Sequence, residues 1–193
     1  QRQMCIRDSP FLVNPSVLIP RPDTECLVEW LIEHLPKNGL VCDLGTGSGC
    51  IAATVALERP DLTVWASDIS KGALAVAQAN CKALGADVKL VQGSWLDPYP
   101  AELSFDAVIS NPPYIEGDDK HLDALRYEPR SALTDESDGL IAYRSILPQI
   151  KRKAPEVQVI AFEHGWNQEE AVQSIFEENA VSYTHLRAHE TLA

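Results

Sequence analysis

An α/β domain, with a mostly parallel sheet and helices on both faces, is the fold class that the sequence predicts, and three observations predict it. Short β-branched runs alternate with longer segments of helical period, polar clusters follow the apolar runs, and the composition is that of a packed globular chain. The 193 residues are 45% hydrophobic and carry 16 Lys+Arg against 28 Asp+Glu, a formal net charge of −12. Such a chain is not disordered, collagenous or coiled-coil, and no apolar run approaches the roughly 18 residues that span a bilayer. The negative balance also argues against binding nucleic acid by bulk electrostatics. A cytoplasmic monomer with no membrane partner is expected. The five cysteines, Cys5, Cys26, Cys42, Cys50 and Cys81, form no C-x-x-C pair and read as reduced thiols.

Residues 1–9 and 181–193 show no structural period and resemble translated adaptor sequence. They are read as a non-native leader and tail, flanking a linker and helix at 10–38 and the main domain at 39–180. His185 and His189 stand at i, i+4 in that tail without a third ligand, so no metal is expected. The first helix is predicted over 23–35 from the spacing of Cys26, Leu27, Trp30, Leu31 and Leu35, with Pro22 and Asp23 as start signals and Pro36 and Gly39 as stops. Strands follow at 40–44, 63–67, 88–91, 105–110 and 157–162. Helices are predicted at 51–59, 71–84, 140–151 (with Pro148 as a kink or break) and 168–178.

Five strands separated by helices imply parallel pairing, with ligands at the carboxyl ends of the strands. Asp43-Leu44-Gly45-Thr46-Gly47-Ser48-Gly49 follows the first strand, Asp68 the second, Gly93-Ser94-Trp95 the third, Asn111-Pro112-Pro113-Tyr114 the fourth and Glu163-His164-Gly165-Trp166 the fifth. In the glycine loop, Cys50 stands where a dinucleotide fingerprint wants its third glycine, which disfavours a pyrophosphate cradle. Absent Cβ atoms let a ligand lie against the backbone, and the helix N-terminus near Gly49 offers amide donors to a carboxylate. Asp43 is placed to face an ammonium, and Asp68 to accept hydrogen bonds from two ribose hydroxyls. A ligand with an amino-acid end and an adenosine end meets both conditions: S-adenosylmethionine.

Each residue before a proline in Asn111-Pro112-Pro113-Tyr114 is kept out of the helical region, and two successive residues lack an N–H. The segment therefore presents acceptors without donors. A planar nitrogen conjugated to a carbonyl or ring is a poor nucleophile, but its two N–H bonds suit two acceptors, the Asn111 side-chain oxygen and the Pro112 carbonyl. Tyr114 would fix the plane of the group, and no general base is needed before attack. Arg21 either steers a substrate or caps and pairs with Asp23 or Glu25. Glu163-His164 reads as an acid/base pair or a structural hydrogen bond, and Lys151-Arg152-Lys153 as a solvated helix end.

The run Ile19-Pro20-Arg21-Pro22-Asp23-Thr24-Glu25, the loop Asp43 to Gly49, Asn111 to Tyr114 with Ile115, the stretches Tyr127-Glu128-Pro129 and Asp138-Gly139-Leu140, and Glu163 to Trp166 together resemble the peptide chain release factor glutamine N5-methyltransferases. The resemblance implies a Rossmann-like S-adenosylmethionine-dependent methyltransferase fold. It implies that Asp43, Gly45, Thr46, Gly47, Ser48, Gly49, Asp68, Trp95 and Asn111 bind the cofactor, with Trp95 against the adenine. Asn111, Pro112, Pro113, Tyr114 and Arg21 would bind the substrate, and Asn111, Pro112 and Tyr114 would carry the chemistry: methylation of the glutamine in a release factor's Gly-Gly-Gln loop. The family's leading helical domain and closing C-terminal strand pair are expected to be missing, and Ser94 stands where relatives often carry an acidic residue. Two alternatives remain: an adenine N6 or guanine N2 nucleic-acid methyltransferase, or an inactive fragment that binds S-adenosylmethionine.

Overall fold

The computed structural model describes residues 2–6 and 9–179. Arg2–Ile6 (β1) and Ser9–Val13 (β2) pair antiparallel, from Arg2 opposite Val13 to Ile6 opposite Ser9. The sequence pattern marks no element there, because a main-chain ladder does not require alternating apolar side chains. The helix Pro22–His34 (α1) leads into Leu40–Leu44 (β3), Cys50–Glu58 (α2), Thr63–Asp68 (β4), Lys71–Leu84 (α3), Val88–Gln92 (β5) and Ala107–Ser110 (β6). After a long connection with two short 3₁₀ turns come Ile141–Lys153 (α4), Val159–Phe162 (β7) and Glu169–Glu178 (α5).

The central sheet is wholly parallel in the order β5-β4-β3-β6-β7 and, among the described residues, ends at β7. The chain winds from β3 outward through β4 and β5, then returns to lay β6 on the other side of β3. That reversal makes the carboxyl ends of β3 and β6 the switch point of the sheet. Helices cover both faces, which is why the strands read as apolar runs rather than alternations. Val41, Val64, Ala66, Ala107 and Ile109 pack with α1, α2 and α3, whereas Cys42, Leu44 and Val108 pack with α4 and α5. No helix among the described residues is long and apolar enough to cross a membrane.

Local chemistry sets the element ends. Pro22 opens α1 at a position that needs no N–H, and the Ser70 hydroxyl caps α3 by accepting from the Ala73 amide at 3.2 Å. Of the kink or break expected at Pro148, the break does not occur: α4 runs through it to Lys153. Pro148 and Arg144, whose carbonyl it leaves without a helical donor, both lie on the solvent side, while Tyr143, Ile146, Leu147 and Ile150 bury the other face. The triplet at the end of α4 is not simply solvated either. Lys153 Nζ donates to the carbonyls of Leu96, Asp97 and Tyr99 at 2.8, 3.2 and 3.4 Å, clasping the turn that carries Trp95.

The long connection is closed by side chains. Asp135 accepts from the amides of Ser137, Gly139 and Ile141 at 2.8–3.0 Å. The buried Gln168 amide donates to the Tyr114 and Gly139 carbonyls at 2.9 and 3.4 Å and accepts from the Gly165 amide at 3.0 Å. Three loops thus meet at Gly139, whose φ is +72° and where a Cβ would stand 2.1 Å from the Tyr114 carbonyl oxygen. Gly139→Ala is therefore expected to destabilise the fold by about 2–4 kcal/mol. An unshifted urea midpoint would contradict this account of the junction.

Candidate active site

The end of β3 is pinned from both neighbours. The amides of Gly45 and Thr46 donate to the Ser67 carbonyl of β4 at 2.9 and 3.0 Å, and the Ser110 hydroxyl of β6 donates to the Leu44 carbonyl at 2.7 Å. Ser67 Oγ in turn donates to the Trp95 carbonyl at 2.9 Å. The glycine loop, the Asp68 strand end, Trp95 and Asn111 are thereby held along one edge.

Within the loop, Gly47 has φ +57° and open space where a Cβ would point, so its outer face is free for a ligand. Gly45 is flanked by the Trp95 ring, 3.4 Å from an added Cβ. Gly49 has a packing reason instead, since its Cβ would press on Ala77 of α3 at 3.1 Å. Thr46 and Ser48 are buried, and the Ser48 carbonyl accepts from the Asn80 side chain at 2.8 Å. Asn80 also bonds both main-chain groups of Leu12, tying β2 to α3 and the loop.

The amide donors expected to be free in this loop are mostly engaged. Besides Gly45 and Thr46, the Gly49 amide donates to the Thr46 carbonyl at 2.8 Å and Gly47 to Asp68 Oδ2 at 2.9 Å. A tight loop satisfies its own donors first, so a ligand here meets a bare backbone face and carboxylates more than a ring of amides. Asp68 Oδ1 accepts from the Ser70 amide at 2.8 Å, and each of its oxygens keeps a further lone pair. Asp43 is 1% exposed; Oδ2 takes the Thr46 hydroxyl at 2.6 Å, while Oδ1 has no hydrogen-bond partner. Burial, and with it the charge of Asp68, pushes its carboxyl up to about 7 against the pull of the Thr46 hydroxyl and of the Ala52 amide. A buried acceptor oxygen left over beneath a loop with an open face fits a cationic amino-acid ligand.

Across the switch point, Asn111, Pro112, Tyr114 and Ile115 line a pocket with Leu18, Arg21, Leu125, Ala132 and Leu133. Pro113 continues the extended segment between them. Arg21 finds an ion-pair partner far along the chain. Its guanidinium meets Glu128 Oε1 at 2.6 Å, and Glu128 Oε2 takes the Ile19 amide at 2.8 Å. This pair joins the segment before α1 to the loop after β6 and closes one side of the pocket.

Behind Asn111 lie two groups that sequence reasoning did not connect with it. Thr24 Oγ1 donates to Glu163 Oε2 at 3.0 Å, Asn111 Nδ2 lies 3.5 Å from Thr24 Oγ1, and the Tyr114 hydroxyl donates to Glu163 Oε1 at 3.3 Å. Burial raises the Glu163 pKa, and the Thr24, Tyr114 and Asn111 donors pull it down. Tyr114 is itself raised, first by burial and then by the Glu163 charge. His164 Nδ1 lies 2.8 Å from the Gly165 carbonyl, while the Glu163 carboxylate turns to Thr24 and Tyr114. Ile69, 72% exposed directly after Asp68, is a further candidate contact, signalled only by an aliphatic residue at a strand end. His185 and His189 lie outside the described residues.

This edge, with its glycine loop, two acidic strand ends and Asn-Pro-Pro-Tyr segment, defines a small-domain methyltransferase. The methyltransferase small domain family model matches residues 23–134, and the chain belongs to that family. More narrowly, it belongs to the release factor glutamine methyltransferases. It is 52% identical over 175 residues to the one from Neisseria gonorrhoeae, covering 89% of this chain and 64% of the relative. Against that of Bordetella pertussis it is 45% identical, covering 92% and 67% respectively. The chain thus spans about two thirds of the length of these relatives. Solved structures share the fold: ribosomal protein L11 methylase from Lactobacillus delbrueckii subsp. bulgaricus has a TM-score of 0.60 at 23% identity, covering 86% of this chain and 72% of that one. The hMettl16 catalytic domain in complex with MAT2A 3'UTR hairpin 1 has 0.66 at 16%, covering 87% and 65%.

The Asp43 environment predicts a pH dependence. Its folded pKa of about 7 exceeds the ordinary 3.8, so the native state binds this proton more tightly than the unfolded chain, and that stability is lost as pH rises through 7. Urea denaturation is expected to show Asp43→Asn gaining about 2–4 kcal/mol on the wild type between pH 5 and pH 8.5. A difference that does not vary with pH would contradict the assigned burial cost.

Proposed function

We propose that this chain transfers a methyl group from S-adenosylmethionine to the side-chain N5 of the glutamine in the Gly-Gly-Gln loop of a peptide chain release factor. The observation that carries the reading is the acceptor-lined pocket at Asn111 and Pro112, set beside the glycine loop by the pairing of Leu44 with Ser110. Kinship with the release factor glutamine methyltransferases supports the same reading. Asp43, the open face at Gly45 and Gly47, Thr46, Ser48, Gly49, Asp68 and Trp95 would hold the methyl donor, with Asp43 toward the ammonium, Asp68 toward the ribose and Trp95 with Ile69 toward the adenine. When bound, the donor supplies an electrophilic methyl on a sulfonium.

The protein's part is orientation and electrostatics. Asn111 Oδ1 and the Pro112 carbonyl accept the two N–H bonds of the glutamine amide, which turns its lone pair outward from that plane. Tyr114 packs against the planar group, and Leu18, Leu125 and Leu133 give the apolar methylenes of glutamine a dry wall. Neutral acceptors also stabilise positive charge as it develops on the attacking nitrogen. Holding the reactants in line supplies a large share of the barrier reduction, up to ~7–11 kcal/mol. Arg21, fixed by Glu128, borders the entrance where the rest of the loop lies. The reduced, largely buried thiols suit a cytoplasmic enzyme, which we take to act as a monomer.

The test offers labelled S-adenosylmethionine with purified release factor, ribosomal RNA and DNA in separate reactions, and locates the label by mass spectrometry. Label on the Gly-Gly-Gln glutamine supports the reading, and label on a base replaces it with nucleic-acid methylation. Asn111→Ala is expected to abolish transfer while leaving cofactor affinity within about tenfold, whereas Asp68→Ala weakens the cofactor by ~1.5–3 kcal/mol in titration calorimetry. Full turnover by the Asn111 variant would refute the amide clamp.

A further inference from the structure

An asparagine amide has two nearly isosteric orientations, one with its oxygen toward a substrate and one with its NH₂ there. Only the first accepts hydrogen bonds from a glutamine amide, so something must choose between them. In its ionised form Glu163 only accepts, so the Thr24 hydroxyl then spends its proton on Glu163 Oε2, 3.0 Å away. That leaves Thr24 Oγ1 an acceptor toward Asn111 Nδ2, at 3.5 Å. Tyr114 donates to the other carboxylate oxygen at 3.3 Å, and the buried Tyr143 hydroxyl donates to the Glu163 carbonyl at 2.8 Å, fixing the residue from α4. The groups that meet Asn111 from inside are acceptors, so its NH₂ turns inward and its oxygen outward to the pocket.

We propose that Glu163 is a positioning residue which, as an acceptor facing Asn111 and through Thr24, holds the Asn111 amide with its oxygen toward the substrate. The proposal rests on the amide-clamp reading above. Glutamine at 163 keeps the shape but has one acceptor oxygen where the carboxylate has two; with that oxygen taken by the Tyr114 hydroxyl, its NH₂ faces Thr24, which then donates outward and the Asn111 amide turns over.

The experiment measures methyl transfer to the release factor, cofactor affinity by calorimetry, and the ¹⁵N–¹H side-chain signals of Asn111, assigned by their loss in Asn111→Asp. Glu163→Gln and Thr24→Val are expected to lower kcat by about 10–100-fold with KM and cofactor affinity within about threefold, and to move the Asn111 signals. Thr24→Ser should recover most of what Thr24→Val loses. If Glu163→Gln turns over normally while Asn111→Ala is dead, the positioning role falls and the clamp stands; if both are active, the clamp falls and takes the proposal with it. A kcat loss with unmoved Asn111 signals and an equal loss of cofactor affinity marks a structural role and overturns the proposal. Should Glu163→Gln fail to bind cofactor, equal kcat in Thr24→Val and Thr24→Ser overturns it.

Discussion

The register that sets Leu44 of β3 beside Ser67 of β4 and Ser110 of β6 is the constraint on which the site depends. Parallel strands deliver their carboxyl ends to one edge, and the reversal of winding at β3 leaves a crevice there that no crossover covers. Ser67 and Ser110, both fully buried, fasten the end of β3 with hydrogen bonds that pass between strands as the loops begin. A slip of one residue in either pair would move Asn111 away from the glycine loop and turn Asp43 out of the layer it shares with α2. The ladder therefore sets the spacing between the two halves of the site before any ligand arrives.

Two carboxylates near that crevice are held at a cost. Asp43 is buried with one oxygen unpartnered, and Glu163 is raised by burial yet surrounded by donors. In a fold whose net stability is ~5–15 kcal/mol, such groups persist where another demand requires them. In the proposed reaction a cationic ligand answers the first, and the orientation of Asn111 answers the second. The loops around them are stapled by side chains instead of regular structure: Gln168 joins three segments at Gly139, Lys153 clasps the turn of Trp95, and the Arg21–Glu128 pair closes the pocket. Preorganisation of this kind is what a reaction without a general base needs most.

Much of this architecture was legible in the residues. Strands covered on both faces announce themselves as apolar runs, such as Ala107 to Ile109, and Pro22 marks the start of α1 by its own conformational limits. The candidate site was legible because Asp43 closes a strand and the glycines and Asn-Pro-Pro-Tyr each follow one within a few residues. The hidden part is long-range pairing. Thr24 meets Glu163 across 139 residues and Arg21 meets Glu128 across 107, and no periodicity encodes which polar side chain the fold carries to which. Local signals also misled where context overrode them. Lys153 looks solvated until its three carbonyls are folded beneath it, and Pro148 looks like a break until it is seen on the wet side of α4.

The most direct measurement is a crystal structure of the chain with S-adenosylhomocysteine and a peptide carrying the release factor's Gly-Gly-Gln sequence. The account predicts the glutamine N5 at ~2.8–3.2 Å from both Asn111 Oδ1 and the Pro112 carbonyl, and on the side facing the sulfur. A glutamine bound with its carbonyl oxygen against Asn111, or seated away from this crevice, would contradict it.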